Sequence, residues 1–142
     1  DDGSVKIKKG IFFDHQMFDA LVLLEEIVKK AKHRILLIDD YVDARILDLF
    51  YTHAPQATVD VYVKPIHQTA TMRQAFNIFH RQYPTVHYEL HDFTASHDRW
   101  LFVDDTLYHF GASLKDLGTR WFCCSEIEKD MVKQRILAEL NQ

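Results

Sequence analysis

The chain has 142 residues and a mass of 16.8 kDa, with 47% hydrophobic and 13% aromatic residues. That suffices for one domain with a real core, and no apolar run approaches the length of a membrane span. The net charge of −4 and pI near 6.1 argue against a strong non-specific DNA binder, though not against a local basic groove.

Val5 to Phe13 mixes apolar residues with lysines, and Ile11 to Phe13 reads as a short strand. Asp14 stands where a helix cap is expected. From Gln16 to Lys32, Met17, Ala20, Leu21, Leu24, Val28 and Ala31 recur at helical spacing. Glu25–Lys29 and Glu26–Lys30 are favourable pairs on that helix, and Lys29, Lys30 and Lys32 suit its negative end. Arg34 to Ile38 is a short unbroken apolar run, the pattern of a central strand covered on both faces. Asp39-Asp40 end it. At a strand's carboxyl end they can line a ligand cleft, but capping the next helix is the role expected of them.

Val42 to Tyr51 reads as that helix, with Ile46, Leu47, Leu49 and Phe50 inward and Pro55 closing the unit. Thr58 to Val63, β-branched and aromatic, is a third strand ended by Lys64-Pro65. Thr69 or Thr71 caps a helix running to Gln82, with Met72, Ala75, Phe76 and Phe79 on one face; Pro84 marks its end. Val86, Tyr88 and Leu90 alternate with His87, Glu89 and His91, as in a half-buried strand.

Asp98 to Val103 is again a strand, so His97 and Arg99 would point one way with Leu101 and Val103. Asp98, Trp100 and Phe102 would point the other. Asp104-Asp105 reads as a turn and Thr106 to Phe110 as the returning strand, after which Gly111-Ala112-Ser113 forms a small polar loop beside His97. Arg120 to Ile127 looks extended, and a last helix runs from about Lys129 to Leu140 through Met131, Ile136, Leu137 and Leu140. Strand–helix alternation ending in a hairpin implies an α/β fold with a mixed β-sheet flanked by helices.

The chain opens on Asp1-Asp2-Gly3-Ser4 rather than Met, which reads as the cut edge of a longer protein, so residues 1–142 are expected to be a single excised domain. The adjacent Cys123 and Cys124 are poorly placed to bridge and read as reduced core residues of a cytoplasmic protein. No metal is expected. His87 and His91 would stand about 13 Å apart along a continuous strand, and neither Cys-x-x-Cys nor His-Glu-x-x-His occurs.

The stretch Ser96 to Gly118, SHDRWLFVDDTLYHFGASLKDLG, organises the chemistry. It resembles the signature of the phospholipase D-like superfamily, in which His, any residue, Lys, four residues, Asp, six residues and Gly-Ser-any-Asn follow in order. His97, Asp104 and Gly111 fall at that spacing. Arg99 replaces the Lys, Ala112 and Leu114 occupy the Ser and Asn positions, and Ser113 and Lys115 each come one residue late.

The resemblance implies a metal-independent phosphodiesterase or nuclease, with no cofactor, acting through a phosphohistidine. His97 would be the nucleophile, its neutral ring carrying a free lone pair near pH 7. The plain alternative is an ordinary hydrogen-bonded His, one of nine in the chain. Arg99 would clamp phosphate; otherwise it would pair with Asp98, Asp104 or a glutamate. Asp104 would shape the catalytic site, in keeping with a structural Asp at a strand end. Ser113 and Lys115 would donate to phosphate oxygens, or be a helix cap and a solvated charge. Glu126 and Glu128 are the acids considered for orienting His97.

The resemblance further implies two histidines per site, whereas this chain carries one such motif. His109 is expected on the near side of the same phosphate, across the same hairpin. A homodimer through the motif face would supply the second histidine, with Trp100, Trp121 and Phe122 at the interface. The rival reading is a catalytically silent domain of the same fold, a dimerisation or ligand-sensing module of a larger, possibly DNA-binding, protein. The changes at Ala112 and Leu114 and the acidic net charge support it.

Overall fold

A computed structural model describes residues 9–12, 17–95, 98–111 and 122–141, with the backbone alone for 9–12, 17–20 and 122. The strands are β1 (Lys9–Phe12), β2 (Arg34–Ile38), β3 (Thr58–Val63), β4 (Tyr88–Asp92), β5 (Arg99–Val103), β6 (Thr106–Phe110) and β7 (Phe122–Ile127). The helices are α1 (Met17–Lys29), α2 (Ala44–His53), α3 (Ala70–Gln82) and α4 (Asp130–Leu140). The strands form one seven-stranded sheet in the order β1-β7-β6-β5-β2-β3-β4. β2, β3 and β4 are parallel, joined by α2 and α3, and the other pairings are antiparallel. Among the described residues no helix is long and apolar enough to cross a membrane.

Each face of the sheet has its own apolar layer. Ile35, Leu37, Val59, Val61, Val63, Leu101 and Val103 alternate onto the face covered by α1, α2 and α3. Leu36, Phe102 and Leu107 lie on the opposite face, covered by Val132, Ile136, Leu137 and Leu140 of α4. The expected mixed sheet flanked by helices is thus observed, with β2 covered on both faces.

Details of the faces differ from the sequence reading. In α1, Leu23 and Ile27 are buried together with Leu24 and Val28, whereas Leu21 is half-buried. Glu25 faces His53 of α2 (3.6 Å), and Glu26 pairs with Lys29 (3.3 Å). Asp43 caps α2, accepting from the Arg45 amide, so the capping role does not fall to Asp39 or Asp40. Thr69 caps α3 through the Met72 amide. Met131 is 83% exposed, and Val132 takes its place under α4 because helical spacing matches Val132 to Ile136 and Leu140. Cys124 is buried, Cys123 half-buried, and both are free thiols. Asp14 lies outside the described residues, as do the side chains of Met17 and Ala20.

One side chain joins the two halves of the sheet. Asp104, in the two-residue turn between β5 and β6, accepts from the amides of Lys32 (2.8 Å), His33 (2.8 Å) and Arg34 (3.0 Å). Its own amide donates to the Arg34 carbonyl (2.9 Å). It adopts φ 52°, a left-handed conformation that Asp and Asn tolerate better than most residues. Burial raises its pKa, but the amides of Lys32, Arg34 and His33 outweigh that and hold the carboxyl below its ordinary value.

Asp104→Ala should therefore lose about 1–3 kcal/mol in urea unfolding, and Asp104→Asn less, since it keeps one acceptor and the left-handed preference. Because the folded pKa is depressed, this contribution is complete above the ordinary Asp value of 3.8 and is lost as the pH falls through the folded value. Acid unfolding of the wild type measured against Asp104→Ala checks that sign. A second prediction concerns Tyr88, stacked on Phe79 at 4.3 Å, whose buried hydroxyl has no hydrogen-bond partner among the described residues. Tyr88→Phe should leave the fold unchanged and raise stability by up to about 1 kcal/mol, read by the same unfolding curve.

Candidate functional site

The parallel strands β2 and β3 end beside the start of β5, because β5 runs antiparallel to β2 with Ile38 opposite Trp100. One residue further, the same register brings Asp39 level with Arg99. Arg99 is half-buried, and strand alternation puts it on the α1–α3 face with Leu101 and Val103. Asp39 is the one buried charged residue among those described, 1% exposed, and accepts from the Tyr41 amide (3.0 Å). Among the described residues no carboxylate forms an ion pair with Arg99. Asp98 stands 3.7 Å from His109, and Asp104 is bound at the far end of β5.

Next to this edge, Asp40 joins the ends of β2 and β3. Its carboxylate accepts from the Lys64 amide (3.1 Å) and lies 3.5 Å from the Lys64 ammonium and 3.9 Å from His67 Nε2. Tyr41 packs on the His67 ring at 5.1 Å. Between the starts of α2 and α3, Asp40, Tyr41 and His67 open onto a cleft of about 470 Å³, lined also by Ile66, Thr69 and Met72. The turn Pro65–His67 places Ile66 at its rim, 85% exposed.

His97, Ser113 and Lys115 lie outside the described residues, as do Ala112, Leu114 and Trp121 and the side chain of Phe122. Asp104 stands five residues from Arg99 along β5, about 16 Å by strand rise, so the structure does not bring the two together. Glu126 lies opposite Tyr108, level with Leu101 rather than Arg99. Burial first, then Glu126 and Cys124, push the Tyr108 pKa up to about 12. Glu128 is exposed beyond the end of β7. Neither glutamate therefore adjoins Arg99.

His109 requires a correction. It pairs with Trp100, their rings 4.7 Å apart, and so sits on the face opposite Arg99. Trp100 is half-buried and packs against the α4 layer. Asp39 was undervalued in the sequence, although its position directly after an apolar central strand was the available signal.

Gly111 has a packing reason for its place in the motif. Its amide donates to the Cys123 carbonyl (2.9 Å), and a Cβ there would collide with Cys123 Sγ. Gly111→Ala should destabilise the domain by about 1–3 kcal/mol, and most of that loss should vanish in a Cys123→Ala background. Thermal unfolding of the two single variants and the double variant tests this.

No protein-family model and no curated protein matches the chain, so the comparison rests on solved structures. NucT from Helicobacter pylori superposes with a TM-score of 0.65 at 12% identity, covering 92% of this chain and 91% of its own. Phosphatidylserine synthase from Haemophilus influenzae gives 0.64 at 17% identity, covering 95% of this chain and 36% of the other. The chain has the phospholipase D-like fold. A third match is TrmBL2, an archaeal chromatin protein whose structure shows a novel mode of DNA binding. Its TM-score is 0.61 at 12% identity, and 99% of this chain spans 53% of that one.

Proposed function

We propose that this domain is a metal-independent phosphodiesterase acting on nucleic-acid phosphodiesters. The observation that carries the reading is Arg99, half-buried and unpaired by any described carboxylate, at the edge where β2 and β3 end and two residues after His97. A guanidinium there can grip two phosphate oxygens. In the proposed reaction a His97 ring nitrogen attacks phosphorus, and the bond to the leaving oxygen breaks. A second histidine protonates that oxygen. Water then takes the phosphoryl group from His97, its proton passing back to the second histidine. Ser113 and Lys115 serve as donors to phosphate oxygens. Asp39, level with Arg99 and buried, is the acid we assign to orienting His97, in preference to Glu126 or Glu128. Asp104 acts through the fold alone.

The second histidine belongs to another copy of the chain, since His109 occupies the wrong face. The active species is then a homodimer with its two-fold axis beside Arg99. In an assay with excess chelator, on bis(p-nitrophenyl) phosphate and single-stranded DNA, His97→Ala should abolish turnover while the dimer seen by light scattering persists. Arg99→Ala should chiefly raise KM, and Arg99→Lys should recover part of that loss. Turnover by His97→Ala, or a wild-type monomer at micromolar concentration, would refute the mechanism.

A second reading has its own support. The cleft beside Tyr41 and His67 suits a small ligand, and the match to the archaeal chromatin protein covers nearly the whole chain. On that reading the domain is catalytically silent and senses a ligand for a larger protein. Saturable small-molecule binding lost in Tyr41→Ala, with no diesterase activity in the wild type, would favour it.

A further inference from the structure

The outer edge of the sheet holds a cluster on the face opposite Arg99. His87 and His91 were expected about 13 Å apart, but the structure brings both to one oxygen. His87 Nε2 is 3.1 Å and His91 Nε2 2.6 Å from Asp60 Oδ1. The reason is the register: Asp60 stands opposite Glu89, midway between the two histidines, so each ring has only half of that distance to span. Glu89, opposite Asp60 in the register, closes the group, 3.6 Å from His87 Nδ1 and 4.0 Å from His91 Nε2.

We propose that Asp60, His87, Glu89 and His91 form a binding site for a divalent transition-metal ion, with zinc the best match. One potential ligand atom from each of Asp60, His87 and Glu89 lies within 4.8 Å of the others. Ligands of a tetrahedral ion at 2.0–2.1 Å stand about 3.3 Å from one another; the His87–Asp60 separation of 3.1 Å is close to this, and the His91 ring, at 2.6 Å, would draw back by about 0.7 Å to admit the ion. Two imidazoles with carboxylates select zinc or a neighbouring first-row ion over magnesium or calcium, which take oxygen ligands.

Two features preorganise the site. The His91 ring is stacked on Tyr62, with centroids 4.7 Å apart and planes 19° apart. The Asp60 side chain is only 18% exposed, whereas His87 and Glu89 are open enough to close on an ion. The site links β4, an outer strand, to β3, and its role is to hold that edge in place, separate from phosphodiester chemistry.

Zinc titration of the metal-free protein against a chromophoric chelator at pH 7.5 tests the proposal. One equivalent should bind, with a matching rise in melting temperature. Affinity should fall at least about tenfold in His87→Gln and again in the His87→Gln/His91→Gln pair. The His87→Gln change falls on a half-exposed side chain just before β4, and the far-UV spectrum checks that the fold is kept. Unchanged zinc affinity in the double variant, no binding by the wild type, or equal affinity for magnesium would overturn the assignment.

Discussion

The grip of Asp104 on three amides at the start of β2 is the contact on which the rest of the architecture depends. The parallel half of the sheet, β2-β3-β4, and the antiparallel half, β1-β7-β6-β5, meet only at the β2–β5 seam. Residues 62 to 68 positions apart must find one register there, and strand hydrogen bonds alone accept several. A slip by one residue would move Leu101 and Val103 to the α4 face and Phe102 to the face of α1, α2 and α3. A carboxylate that takes the Lys32, His33 and Arg34 amides together admits a single alignment. The same alignment, at the far end of β5, sets Arg99 beside Asp39. Asp104 thus fixes the position of Arg99 from about 16 Å away without touching it.

The sheet divides its labour between faces. On the face covered by α1, α2 and α3, the apolar layer is large and runs up to the edge that carries Arg99 and Asp39. On the other, the single helix α4 covers only the middle, through Val132, Ile136, Leu137 and Leu140. Polar and aromatic side chains fill what remains uncovered. Trp100 and His109 pack together near β5, and Asp60, Tyr62, His87 and His91 gather at the β3–β4 edge. Parallel strands buried on both sides would read as unbroken apolar runs. β2 does so, whereas β3 and β4 carry Asp60, Glu89 and His91 because α4 does not reach them.

The sequence reading went astray where a choice depended on neighbours distant in the chain. Helical spacing allowed either Met131 or Val132 under α4, and only the position of Phe102 and Leu107 beneath it decides for Val132. Asp39-Asp40 and Asp43 all precede α2 at plausible capping distance, and the backbone path chose Asp43. His109 falls near Arg99 in a flat drawing of the hairpin, yet the pleat puts it through the sheet.

The chain by itself determined its element order, the α/β class and the burial of most strand positions, because period-2 and period-3.6 patterns and turn residues are local signals. It also carried the His97, Arg99, Asp104 and Gly111 spacing by which the chain resembles the phospholipase D-like signature. Tertiary structure alone decided which of those residues stand together. Asp104 stands at the opposite end of the seam from Arg99, Asp39 lies level with Arg99, and two histidines read as far apart converge on Asp60. Each outcome turns on strand register and face, which are set by pairing between segments that no local pattern can align.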